Sequence, residues 1–194
     1  DCTDEALRVE LLMQAAIVHE DRLAETPRAI ELYLRVLALP SAAAGTHLAA
    51  ARRVEPLLRS AGRTRERLDV LERLANLEVG ANARAAAIGD AAALASDLGE
   101  EGRAIAAWER RLAERADDAE ALDGLVALLE REERWEALVD ALRRRAASGV
   151  PTDGGRADRV RVARIASDKL GDQDGAIDEW RSIEADFGPS DDGT

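Results

Sequence analysis

The chain has 194 residues, enough for one large domain or a short array of repeats. Its residues are 46% hydrophobic but only 3% aromatic, and Ala, Leu, Arg and Glu dominate, which excludes a sandwich or barrel rich in aromatic and β-branched residues and favours helices. The formal net charge of -12 excludes non-specific nucleic-acid binding, which needs a basic surface, and no apolar run reaches the ~18 residues of a membrane span.

Turn signals divide the chain into stretches with apolar residues at helical spacing, and these predict helices over 4–23, 27–39, 44–60, 64–78, 83–98, 101–115, 118–131, 134–148, 156–170 and 174–186. No stretch alternates with the period of a strand, so the expected fold class is all-α. Pro56 falls inside the third helix and removes one backbone donor there, as a tolerated kink or a bend. Asp117 and Asp118 stand where the seventh helix begins, which suits a cap better than acid–base work. After the tenth helix, 189–194 reads as an acidic tail. Short loops between helices of similar length predict antiparallel neighbours, hence five helical hairpins over about 4–40, 44–80, 83–117, 118–150 and 156–188.

The hairpins repeat. Leu23 to Leu37 (LAETPRAIELYLRVL) parallels Leu98 to Leu112 (LGEEGRAIAAWERRL) and Leu170 to Ile183 (LGDQDGAIDEWRSI). Ala29, Ala104 and Ala176 correspond, as do Tyr33, Trp108 and Trp180, at intervals of about 75 and 72 residues. Weaker copies lie between them at 61–74 and 132–145, where Leu71 and Leu142 replace the aromatic. The unit is therefore half that interval, close to the ~34 residues of a helix–turn–helix repeat. A small alanine lets the paired helix approach, and the aromatic one turn later fills the space toward the next hairpin. All six of these alanines and aromatics are expected to be largely buried.

In its second helices the chain resembles the Ala…Phe/Tyr…Ala half of the tetratricopeptide signature, and Asp117 to Leu122 (DDAEAL) resembles the link between such repeats. The first-helix Trp-Leu-Gly-Tyr positions are mostly lost: Ile88, Ala91, Ala92 and Ala95 stand there in the third unit. The resemblance to long bacterial arrays of this kind implies a right-handed α-solenoid whose first helices line a concave groove. Carried onto the second hairpin, the groove positions are Ala49, Arg52, Pro56 and Arg59, with Arg53 beside them. In the fourth hairpin they are Glu120, Asp123, Ala127 and Glu130, and in the fifth Asp158, Arg161, Ile165 and Asp168. The groove would be basic in one half and more acidic in the other.

Arg52 and Arg59, seven residues apart, share a helix face. They would hold a carboxylate or an acidic peptide by bidentate contacts, or else form a solvated face paired locally with glutamates. The Lys and Asn residues with which some relatives clamp a peptide C-terminus are absent.

Little points to other chemistry. His19 and His47 lack His-x-x-x-His spacing, the single Cys2 can form no internal disulfide, and no glycine-rich phosphate loop or Gly-x-Ser-x-Gly is present. No enzyme, metal or cofactor is expected. The resemblance implies a protein-interaction scaffold; the alternative is a regulatory, sensor or spacer segment of a larger multidomain bacterial protein. The compartment, cytoplasm or periplasm, is left open. The end helices carry more apolar residues than one partner helix can cover, so the chain is expected to be part of a longer array, with exposed leucines or a weak homodimer at an end face.

Overall fold

A computed structural model describes residues 2–149 and 152–188; the expected acidic tail at 189–194 lies outside the described residues. Among the described residues there are helices and no strand: α1 (Cys2–Asp21), α2 (Thr26–Ala38), α3 (Ala44–Ser60), α4 (Thr64–Leu77), α5 (Ala81–Asp97), α6 (Glu101–Glu114), α7 (Ala119–Arg131), α8 (Trp135–Ala147), α9 (Thr152–Asp168) and α10 (Gln173–Phe187). Each matches an expected helix, and the largest displacement is the start of α9, which lies at Thr152 rather than 156.

The turn chemistry repeats with the helices. Ala24, Gly62, Gly99, Glu133 and Gly171 all have positive φ, between 52° and 71°, and each stands two residues before an even-numbered helix. A left-handed residue reverses the chain after each odd helix, which is the conformation glycine adopts without steric cost. Ala24 and Glu133 adopt it with a Cβ present. Asp118 caps α7, its carboxylate accepting from the Ala121 N–H at 3.2 Å. Asp172 does the same for α10 through the Gly175 N–H at 2.9 Å. Pro56 leaves α3 unbroken through Ser60 and faces solvent.

The chain forms two compact units, 1–100 and 101–194, and the division falls at the turn between α5 and α6, inside the third of the five expected hairpins. In the first unit α1 packs on α2, α2 on α3, α3 on α4 and α4 on α5. Its core holds Ile30, Tyr33, Leu58, Leu68, Leu71 and Ile88, all fully buried. In the second unit α6 packs on α7, α7 on α8, α8 on α9 and α9 on α10, around Leu112, Leu122, Leu125, Leu138 and Leu142. Polar contacts also join alternate helices. Arg53 of α3 reaches Glu20 of α1, and Arg161 of α9 reaches Glu130 of α7, each at 2.8 Å. Odd helices therefore form one layer of each unit and even helices the other.

Five of the six repeated small and aromatic positions are buried as the pattern requires: Ala29, Tyr33, Ala104, Trp108 and Ala176. Trp180 is the exception, 42% exposed. The reason lies in what covers its counterparts. Trp108 lies against α7, where a Cβ added to Gly124 would meet the indole at 2.5 Å. Tyr33 is covered by α3, whose Arg53 shares the Glu20 carboxylate with it. No described helix does this for Trp180. On α10, Ala176 and Ile183 face inward while Ile177 and Trp180 face out.

Candidate interaction surface

In the first unit, Ala49, Arg52, Pro56 and Arg59 recur at intervals of three and four residues and form one exposed stripe along α3, with Arg53 half-buried beside it. The expected residues lie on one face, and each arginine has an acidic partner, as the alternative of a face paired with glutamates required. Arg52 grips Glu78 with two parallel bonds, Nε to Oε1 at 2.8 Å and Nη2 to Oε2 at 2.6 Å. Arg53 donates to Glu20 at 2.8 Å and reaches Asp21 at 3.3 Å. Arg59 donates to Glu55 at 3.0 Å, and Glu55 also accepts from Arg67 at 2.6 Å. Four guanidiniums therefore meet four carboxylates, and the stripe is not a free positive patch.

The pairs are asymmetric in burial. The Glu78 and Glu55 side chains are 7% and 12% exposed, whereas those of Arg52 and Arg59 are 57% and 59% exposed. The carboxylates lie underneath and the arginines lie across them. The Arg52 hydrogen bonds hold the Glu78 carboxyl below its ordinary value of 4.5, overcoming the opposing effect of burial, so Glu78 stays ionised beneath its partner. Next to this pair, the buried Tyr33 hydroxyl donates to Glu20 at 2.5 Å. Burial and the neighbouring Glu20 charge push the Tyr33 phenol up, so it remains a neutral donor that fixes Glu20 under Arg53.

The corresponding stripe of the second unit runs along α7. Glu120, Asp123, Ala127 and Glu130 are all exposed there, at the same intervals of three and four. These acids are also paired: Glu120 with Arg111 at 2.6 Å, Asp123 with Arg145 at 2.7 Å and Glu130 with Arg161 at 2.8 Å. On α9, Asp158 is buried rather than groove-facing, and Arg145 holds it with two bonds at 2.8 and 2.6 Å. Asp118 is buried too. Burial alone would raise its carboxyl, but Arg111, the Ala121 N–H and Arg115 together hold it below the ordinary value.

His19 lies beside Glu25 at 2.8 Å, and the His47 Nε2–H donates to the Leu39 carbonyl at 3.0 Å. Among the described residues no group of three or more His, Cys, Asp or Glu side chains is placed to hold a metal ion, and no helix is long and apolar enough to cross a membrane.

A feature that the sequence did not announce lies on the other layer of the second unit. A cleft of about 610 Å³ opens between α6 and α8, with Leu125 and Leu129 of α7 as its floor and Arg134, Asp140 and Arg144 among its lining. It depends on the spacing of helices distant in sequence, which periodicity cannot report.

The architecture is that of tetratricopeptide-like helical repeat proteins. Two solved structures of MamA superpose on the chain with TM-scores of 0.51 and 0.50, each at 14% identity, covering 95% of this chain and 95% and 96% of theirs. YrrB, described as a TPR protein with an unusual peptide-binding site, is 14% identical over 92% of this chain and 86% of its own, with a TM-score of 0.48. No protein-family model matches the chain, and no curated protein matches it.

Proposed function

We propose that the chain is a protein-interaction scaffold that binds a peptide segment of a partner on the α3 face of its first unit. The observation that carries this reading is the exposed stripe of Ala49, Arg52, Pro56 and Arg59, in which the arginines are fixed from below by the sunken Glu78 and Glu55. An arginine anchored along one edge loses less side-chain freedom when its other edge meets a ligand, so the intramolecular pairs pre-organise the surface. The uncharged Pro56 lies between the two arginines along the stripe, and Ala49 lies beyond Arg52. A partner segment with an acidic residue would engage the outer edges of Arg52 and Arg59, and Arg53 would keep its bonds to Glu20 and Asp21. In the second unit, Asp123 and Arg161 present opposite charges on the same layer and would contact a partner carrying both signs. With its buried carboxylates each matched to an arginine, the chain is read as a binder and not a catalyst.

The test is selection from a displayed random peptide library on the immobilised chain, repeated with Arg52→Gln/Arg59→Glu. Glutamine is used at position 52 because its amide still donates to Glu78, whereas glutamate there would face a buried carboxylate; at position 59 glutamate leaves Glu55 its bond to Arg67. Enrichment of peptides with an acidic residue, lost on the double variant while the melting temperature stays within a few degrees, is the expected result. No enrichment, or binding indifferent to the substitutions, overturns the reading.

A further inference from the structure

We propose that the cleft between α6 and α8 is a second binding site, which takes a small monocarboxylate with an apolar body and holds its carboxylate on Arg134. The repeat supplies the template. Leu71 of α4 and Leu142 of α8 occupy equivalent positions, so Arg63 corresponds to Arg134. Each is the residue before its helix, and the two backbones agree closely, with φ -82° and ψ 66° at Arg63 and φ -85° and ψ 71° at Arg134. Arg63 grips Glu66, three residues on, with two parallel bonds. At the place of Glu66 the second unit has Ala137. Arg134 therefore keeps the guanidinium without the carboxylate, and among the described residues no acidic side chain pairs with it.

The same comparison accounts for the open space. The counterpart of the buried Val70 is the smaller Ala141, so α8 carries alanines at 137 and 141 where α4 carries Glu66 and Val70. Both alanines line the cleft of about 610 Å³, and Leu125 and Leu129 close it from below. Ile105 of α6 is half-buried at its wall, whereas the equivalent Ile30 of the first unit is fully buried. Small-molecule sites occupy about 300–1,000 Å³, and this cleft falls within that range.

Charge selects the ligand. At the far end of the cleft Arg144 already bonds both carboxylate oxygens of Glu109 at 3.0 Å, and about 15 Å of helix separates it from Arg134. The guanidinium that lacks a carboxylate thus stands at one end, with apolar surface between the two. A ligand carboxylate would take the two-bond geometry that Glu66 makes with Arg63, and its alkyl or aromatic body would displace water from Ile105, Ala137 and Ala141. Asp140 also lines the cleft and disfavours a second negative charge there, which is why the ligand is a monocarboxylate. The α3 stripe takes no part, so this site stands or falls apart from the peptide-binding reading.

The test is amide chemical-shift mapping of the labelled chain titrated with octanoate, with octanol and octanedioate as comparison compounds. Octanoate should give saturable shifts at Ile105, Leu125, Ala137 and Ala141, and both comparison compounds should bind about tenfold more weakly or worse. Arg134→Gln should weaken octanoate by about tenfold, because an amide cannot match the guanidinium fork. Ala137→Glu rebuilds the pair that Arg63 makes with Glu66 and should abolish octanoate binding. Arg134 is exposed and Ala137 half-buried, and circular dichroism checks that the helices remain in both variants. No saturable shifts around the cleft, a comparison compound that binds as tightly as octanoate, or undiminished octanoate binding by either variant would each overturn the proposal.

Discussion

Replacing Gly124 by alanine sets two effects of opposite sign against each other, and the structure decides between them. Within a helix, Gly→Ala normally stabilises by about 0.8–1.0 kcal/mol, because glycine loses more backbone freedom on folding. At Gly124 the new Cβ would sit 2.5 Å from Trp108 Cε2, 2.6 Å from Cζ2 and 2.9 Å from Nε1. The indole is 6% exposed and packed, so it cannot swing aside as a surface side chain would. Overpacking of this kind costs about 1–3 kcal/mol, which offsets the propensity gain and leaves a net loss of up to about 2 kcal/mol. In a Trp108→Leu background the obstructing ring is gone, and the same substitution should stabilise by about 0.5–1 kcal/mol. Urea unfolding followed by far-ultraviolet circular dichroism on the four proteins closes the cycle, and the coupling between the two sites should be about 1–3 kcal/mol. If Gly124→Ala stabilises the otherwise unaltered chain, the close crossing of α6 and α7 at Trp108 is wrong.

Other perturbations test separate parts of the account. Truncation of Trp108 to alanine should cost about 3–5 kcal/mol in urea unfolding, whereas Trp180→Ala, at an exposed site, should cost under about 1 kcal/mol. At the hairpin turns, Glu133→Gly should stabilise by about 0.5–1 kcal/mol and Gly62→Ala should destabilise by a similar amount, because both positions need positive φ; thermal melts read both. Glu78 and Asp118 have carboxyls held below their ordinary values, so their contribution to stability is complete above those values and is lost as pH falls through the lowered ones. Urea midpoints measured from neutral pH down into that acidic range should fall more steeply for the wild type than for Glu78→Gln.

The helices were legible because their signals are local: apolar spacing, left-handed residues at the turns and an aspartate at the start of α7. The repeat was legible because Ala-Ile followed by an aromatic survives in three copies. The burial of Trp180 was misjudged because its sequence neighbourhood matches those of Tyr33 and Trp108, while the helix that would cover it is not local information. The α3 positions came from the resemblance to tetratricopeptide repeats, and spacing added that Arg52 and Arg59 share a face; the partners of Arg52 and Arg53 were not legible. Glu78 lies 26 residues from Arg52, and Glu20 lies 33 residues from Arg53, so only the packing of α1, α3 and the end of α4 reveals that these two arginines are neutralised. The cleft between α6 and α8 depends in the same way on tertiary spacing.

The central claim, that the α3 face binds a peptide, is tested most directly by amide chemical-shift mapping of the labelled chain titrated with a library-selected peptide. The account predicts shifts concentrated at Ala49, Arg52, Arg53, Leu57 and Arg59, with saturation at one peptide per chain. Shifts confined to α6 and α8 around the cleft, or none on α3 at saturating peptide, would contradict it.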